Sequence, residues 1–176
     1  MIIGLTGKRG VGKSEAASIL ERRGFVRAHT FAGGKVASEA YFRHIGATAD
    51  QAREMVHGAL RDRPSSLLPS QQTPRYFMER FGSFMGVDLG PEWTMGTELL
   101  RIKRERPFAS VVFESVAYES DVVRSAGGVL VRITRPDSNG PVGLNTDAAV
   151  DAIVADAEIN NDGSLADLEK KVLALI

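Results

Sequence analysis

Residues 7–14 read Gly-Lys-Arg-Gly-Val-Gly-Lys-Ser, and this octapeptide limits what the chain can fold into more than any other feature. It satisfies the pattern Gly-x-x-x-x-Gly-Lys-Ser/Thr. A short apolar run, Ile2-Ile3-Gly4-Leu5, precedes it, and a segment from Ser14 to Arg23 follows. In that segment Ala16, Ala17, Ile19 and Leu20 fall at helical spacing before Gly24 stops the helix. Strand, glycine loop and helix together are the context in which the pattern acquires a physical meaning. The glycines let the backbone curl so that successive N–H groups face inward, at the positive end of the following helix dipole, as a nest for an anion. Lys13 then reaches the outer phosphates of a nucleotide, and the Ser14 hydroxyl is a ligand for its metal ion. Gly7, Lys8, Arg9, Gly10, Val11, Gly12, Lys13 and Ser14 are therefore the expected nucleotide contacts.

The rest of the chain alternates strand and helix. Phe25 to Phe31 is a weak strand; Ser110 to Phe113, Val129 to Ile133 and a stretch near 156–159 are further strands. Helices are expected over Tyr118 to Ala126, about 147–154, and from about Ser164 onward. That alternation predicts a three-layer α/β/α fold, with a parallel five-stranded sheet between helices, as in P-loop nucleotide-hydrolysing proteins. Residues 35–106 read as mostly helical, broken at Gly46, Pro64-Ser65-Ser66, Pro69 to Pro74 and Gly90-Pro91. They are expected to form a substrate-binding insertion on a core of about 1–34 and 107–176, all within one domain. The turn-rich run Pro136 to Gly143 places a lid loop at about 135–147.

Composition narrows the chemistry. Lys plus Arg and Asp plus Glu are 22 each, for a formal net charge of zero. Nothing draws the chain as a whole to nucleic acid or to an anionic membrane, so any anion site must be built locally, and the loop motif makes small-molecule nucleotides the expected partners. Cysteine is absent, which excludes a disulfide framework, a thiolate zinc site and a cysteine nucleophile. No apolar run approaches the roughly 20 residues that span a bilayer. The opening MIIGLTGKRG has no basic lead into a long apolar stretch, so a cytoplasmic protein is expected. His29, His44 and His57 have no ligand spacing, and no Asn-Lys-x-Asp guanine reader is present.

Taken in order, several stretches resemble the bacteriophage-type deoxynucleoside monophosphate kinases, relatives of dephospho-CoA kinase. They are GLTGKRGVGKSEAASIL, GFVRAHTFAGGK, Thr73-Pro74-Arg75 with Phe81-Gly82-Ser83 and Trp93, the strand Val111-Val112-Phe113-Glu114, Arg132 to Pro136, and Ile159-Asn160-Asn161-Asp162-Gly163-Ser164-Leu165. The chain departs from that pattern in places. Glu114-Ser115-Val116-Ala117-Tyr118 stands where the family has Asp-Asp-Val-Arg-Phe. Gly33 replaces an aspartate, with Lys35 one place early, and Val87 and Ala117 occupy arginine positions.

The resemblance implies ATP- and Mg²⁺-dependent phosphoryl transfer to a (deoxy)nucleoside monophosphate, yielding the diphosphate, in a phage or prophage setting of deoxynucleotide metabolism. It gives Lys13 and Arg135 catalytic roles and Mg²⁺ to Ser14 and Glu114. Asn160, Asp162 and Gly163 fall on the adenine side, and Arg75, Glu114 and Lys35 on the acceptor side. Arg135 also has a reason of its own, since it ends a strand at the start of the lid. A dephospho-CoA kinase-like enzyme, a nucleotide-binding protein without transferase activity and a homodimeric assembly remain open. Trp93, Phe81 and Phe84 are expected in the core, and Arg101, Lys103, Arg104 and Arg106 on a solvated helix face.

Overall fold

Five short strands supply the framework in the computed structural model, which describes residues 1–136, 138 and 145–176. They are β1 (Ile2–Thr6), β2 (Val26–Ala28), β3 (Val111–Phe113), β4 (Val129–Thr134) and β5 (Ala157–Asn160). Their order across the sheet is β2-β3-β1-β4-β5, and every neighbouring pair is parallel. The helices are α1 (Lys13–Arg22), α2 (Ala32–His44), α3 (Ala49–His57), α4 (Pro74–Ser83), α5 (Thr97–Glu105), α6 (Ser120–Ser125), α7 (Asn145–Ala152) and α8 (Leu165–Leu173).

The apolar runs that predicted strands are continuous because both faces of the sheet are covered. Ile3, Leu5, Val112, Val131, Ile133 and Ile159 pack with Ala16, Ala17, Ile19 and Leu20 of α1 and with Leu168 and Val172 of α8. Their sequence neighbours Ile2, Val111, Phe113 and Leu130 turn the other way, onto Val123 of α6 and Ile102 of α5. The result is the expected three-layer α/β/α arrangement. Each such side chain, once buried, contributes roughly 1.5–3 kcal/mol, so the layer contacts dominate over the weak propensity of strands only three to six residues long.

The chain divides into two compact units, one of residues 1–30 with 95–176 and one of residues 31–94. The second contains α2, α3 and α4 around a core of Phe42, Ala52, Met55, Val56, Leu68 and Met78. Tyr41 and Phe77 stack there at 5.0 Å, and Thr48 with Gln51 forms a reciprocal cap on α3. The helical unit is thus shorter than the expected 35–106. Helix α5 belongs to the sheet unit, because Ile102 and Met95 are buried against Ile2, Val111 and Phe113. The aromatic expectation divides as well. Phe81 packs edge-on to Phe31 at 5.7 Å, whereas Trp93 and Phe84 are 59% and 47% exposed and are not core. Arg101 lies on a solvated face of α5, bonded to Glu98 and Glu105. Most of the expected lid, residues 137 and 139–144, lies outside the described residues.

Candidate phosphate-binding site

β1 lies between β3 and β4, so the loop that leaves its C-terminal end opens at the centre of the sheet's carboxyl edge, where ligands bind in folds of this kind. Thr6 anchors the departure, its buried hydroxyl donating to the Val116 carbonyl at 2.9 Å. Gly7, Gly10 and Gly12 then adopt φ of +135°, +84° and +105°, conformations that disfavour any residue with a Cβ. Space is as restrictive as dihedral angle. A Cβ on Gly7 would lie 2.2 Å from the Ile133 carbonyl oxygen, and one on Gly12 2.5 Å from Asn161 Nδ2. Gly12 caps α1 without any side-chain acceptor, so the N–H groups of the first turn keep their capacity to bind an anion.

Asn161 completes the loop; the resemblance places the stretch 160–164 beside the adenine but does not give Asn161 this role. Its Nδ2 donates to the Val11 carbonyl at 2.9 Å and its backbone N–H to the Thr134 carbonyl at 2.7 Å. Val11 itself is a core residue, 3% exposed, so it can offer a ligand only its backbone. The bond joins residues 150 positions apart, which is why no local pattern announces it.

Two of the loop cations already have partners. Lys13 Nζ donates to the Gly7 and Lys8 carbonyls at 2.6 and 2.7 Å. Burial lowers its pKa from 10.5 to about 8, Arg9 pushes the same way, and Glu114 and Asp147 partly offset this. Lys8 pairs with Asp151 of α7 at 3.7 Å. A cavity of about 210 Å³ lies on one side of the loop, lined by Gly7, Lys8, Arg132, Arg135, Ser138 and Asp151 among others. Another of about 190 Å³ is lined by Arg9, Lys13, Ser115, Ala117 and Asp147 among others. Arg135 is exposed at the mouth of the first. Ala117, at the position of an expected arginine, faces the second.

Glu114 follows β3 and is bound by a residue that the sequence reading passed over. Arg27 of β2 donates to Glu114 Oε2 through Nε at 3.0 Å and through Nη2. Its Nη1 donates to Ser18 Oγ at 2.8 Å, and Ser18 Oγ donates in turn to the Ser14 carbonyl at 3.0 Å. Ser14 itself is exposed in the first turn of α1. One carboxylate and one hydroxyl make a sparse donor set, which suits Mg²⁺ because that ion keeps several waters and takes the rest from phosphate. Among the described residues no cluster of three or more carboxylates or histidines could hold a metal without such help.

Asn160, at the end of β5, and Asp162 and Gly163, between β5 and α8, lie exposed. Asn160 Nδ2 donates to Asp162, and Lys171 bonds both the Asn160 carbonyl and Asp162, at 2.7 and 2.9 Å. The Lys171 hydrogen bond holds the Asp162 carboxyl below its usual range. Arg75 and Lys35 belong to the helical unit. Arg75 forks onto Asp62, through Nε and through Nη2 at 2.8 Å, and Lys35 is half-buried in the first turn of α2.

No family model and no curated protein matches the chain. Among solved structures it is similar to shikimate kinase from Aquifex aeolicus, at 17% identity and a TM-score of 0.46 over 99% of this chain and 95% of that one. It is also similar to dephospho-CoA kinase from Campylobacter jejuni, at 14% identity and 0.48 over 99% and 94%, and to TT1252 from Thermus thermophilus, at 17% and 0.46 over 99% and 95%. Likeness at that level leaves the chemistry to be argued from the residues themselves. They form a preorganised anion-binding loop of the Walker A pattern, set at the carboxyl edge of a five-stranded parallel sheet.

Proposed function

We propose that this protein transfers the γ-phosphoryl group of ATP to a (deoxy)nucleoside monophosphate. One observation carries the reading: a left-handed glycine loop covers an uncapped helix N-terminus and holds Lys13 within hydrogen-bond reach of its own carbonyls. Three loop cations, Lys8, Arg9 and Lys13, surround the place where phosphates would enter. Phosphoryl transfer asks the protein for position and positive charge more than for covalent chemistry.

On this reading Lys13 leaves its loop carbonyls for the outer phosphates, and the N–H groups from Gly10 to Ser14 hold the inner ones. Ser14 and Glu114 are the residues that would hold Mg²⁺, which supplies charge neutralisation across the phosphates. An acceptor phosphate oxygen, already ionised near neutral pH, forms its bond to the γ-phosphorus as the bond to the β-bridging oxygen breaks, so no general base is needed. Arg135, at the mouth of its cavity, screens the charge on the departing side. Asn160, Asp162 and Gly163 would face the adenine, with Arg75 and Lys35 toward the acceptor.

A second reading, ATP binding without transfer, is favoured by two observations. The Arg75 fork is already occupied by Asp62, and Ala117 lines the loop cavity without a charge. Coupled turnover against the four deoxynucleoside monophosphates and dephospho-CoA, beside ATP calorimetry, separates the readings. Turnover with a monophosphate supports transfer to nucleotides, and turnover with dephospho-CoA alone replaces the acceptor. ATP binding with no turnover on any acceptor selects the second reading.

A further inference from the structure

Glu114 meets its two oxygens with unequal partners. Both bonds from Arg27 fall on Oε2, through Nε at 3.0 Å and through Nη2, and among the described residues no hydrogen bond reaches Oε1. An arginine fork that binds a carboxylate usually spreads over both oxygens; this one is gathered onto a single atom and leaves the other available. The pair is well protected for an ion pair at a strand end, with side-chain exposure of 29% for Arg27 and 16% for Glu114. The third guanidinium nitrogen, Nη1, reaches Ser18 Oγ, whose hydroxyl donates to the carbonyl of Ser14. Arg27 thereby connects the end of β3 to the first turn of α1, where Lys13 and Ser14 lie.

We infer that Arg27 is a positioning residue. It fixes Glu114 by Oε2 so that Oε1 is presented toward the loop, as an acceptor for Mg²⁺ or for water on that ion. The inference rests on the phosphoryl-transfer reading above and adds a residue to it. A lone glutamate side chain has three rotatable bonds and would lose that freedom on each binding event; a bonded one has lost it already. The fork supplies this orientation and lysine cannot reproduce it, because an ammonium ion fixes a point and not a plane. Exposure near a third for Arg27 means that its loss should leave the sheet folded.

The test measures ATP affinity by calorimetry with and without Mg²⁺, in the wild type, Arg27→Gln, Arg27→Lys, Glu114→Gln and the double variant Arg27→Gln/Glu114→Gln. The expected result is that Glu114→Gln and Arg27→Gln each remove about tenfold of the tightening that Mg²⁺ gives, that Arg27→Lys recovers part of it, and that the double variant is no worse than Glu114→Gln alone. Affinity without Mg²⁺ is the reference for each variant, and the readout is the ratio of the two affinities. Should Arg27→Gln fail to fold, Arg27→Lys carries the same comparison with the charge retained. Wild-type behaviour of Arg27→Gln beside a Mg²⁺-insensitive Glu114→Gln overturns the proposal, as do effects that simply add in the double variant. A wild-type protein that binds no ATP overturns the phosphoryl-transfer reading, and this proposal with it.

Discussion

The sheet unit and the helical unit commit their polar groups in opposite ways. In the sheet unit three bonds that frame the site join residues far apart in sequence, although the Lys13 bonds within the loop are local: Arg27 with Glu114 across 87 positions, Thr6 with Val116 across 110, Asn161 with Val11 across 150. In the helical unit the equivalent bonds are local: Thr48 with Gln51, Arg53 with Asp50, Arg75 with Asp62 across 13. Long-range bonds form only when several strands and helices already pack together, so they deliver a preformed site. Local ones can exchange partners without disturbing the core. A donor site built by the first kind and an acceptor side built by the second would differ in rigidity, in tolerance to mutation and in response to pH.

The largest expected effect tests the donor side. Lys13→Ala should reduce phosphoryl transfer by about two to three orders of magnitude, roughly 3–4 kcal/mol of transition-state stabilisation. Its melting temperature should stay within a few degrees of the wild type, since among the described residues the Lys13 ammonium bonds only the loop carbonyls of Gly7 and Lys8. Undiminished turnover would remove Lys13 from the mechanism. Next comes a pair of glycines, one in each unit. Gly7→Ala combines a positive φ with a 2.2 Å approach to the Ile133 carbonyl and should cost about 2–3 kcal/mol of stability and abolish ATP binding. Gly33→Ala, in the first turn of α2 with nothing within 4 Å of its Cβ, should gain about 0.5–1 kcal/mol. Denaturant unfolding of both reads the contrast directly. Equal costs would erase it.

The same contrast explains what the sequence made legible. The octapeptide 7–14 announces the loop because its glycines are required at fixed places by backbone geometry. The runs Val111-Val112-Phe113 and Val129 to Ile133 announce strands because both faces of the sheet are buried. Arg27 and Asn161 have no local signature, since each acts through a partner that only the sheet order brings near. The extent of the helical unit escaped for a related reason. Helix α5 reads like its predecessors, and only the burial of Ile102 against β1 and β3 assigns it to the sheet. Trp93, apolar and aromatic, reads as core, yet it falls in the stretch Glu92–Gly96, which leaves the ring 59% exposed.

The acceptor side offers the next test. If Arg75 contacts the acceptor phosphate, Arg75→Ala should raise the acceptor KM at least about tenfold, some 1.4 kcal/mol, with ATP affinity unchanged. Asp62→Asn then sharpens the point, because it releases the fork that Asp62 now occupies. Acceptor KM should fall or hold in that variant, with little loss of stability because Asp62 is largely exposed. A rise in KM on Asp62→Asn would show that the pair acts as a structural clip and that the acceptor's charge is met elsewhere.

The smallest expected effect is a pH dependence confined to the donor side. Burial brings the Lys13 pKa from 10.5 down to about 8. Between those values the unfolded chain holds a proton that the folded chain has released, so this group makes stability rise with pH across the window of about 8 to 10.5. Below about 8 both states are protonated and the burial penalty stands in full. ATP affinity has the opposite slope, because the phosphates need the charged ammonium. It should be level below about pH 8 and weaken above it, by roughly fourfold at half a unit beyond. Calorimetry in buffers of different ionisation enthalpy should record proton uptake on ATP binding at that pH. Lys13→Arg should show neither the break nor the uptake, since a guanidinium does not titrate there. If Arg75 in the other unit meets the acceptor, acceptor affinity should show no break at pH 8 that Lys13→Arg abolishes. If the acceptor shares the Lys13 break, the two sides are read by one charge, and the division between a preformed donor site and a locally built acceptor side does not hold.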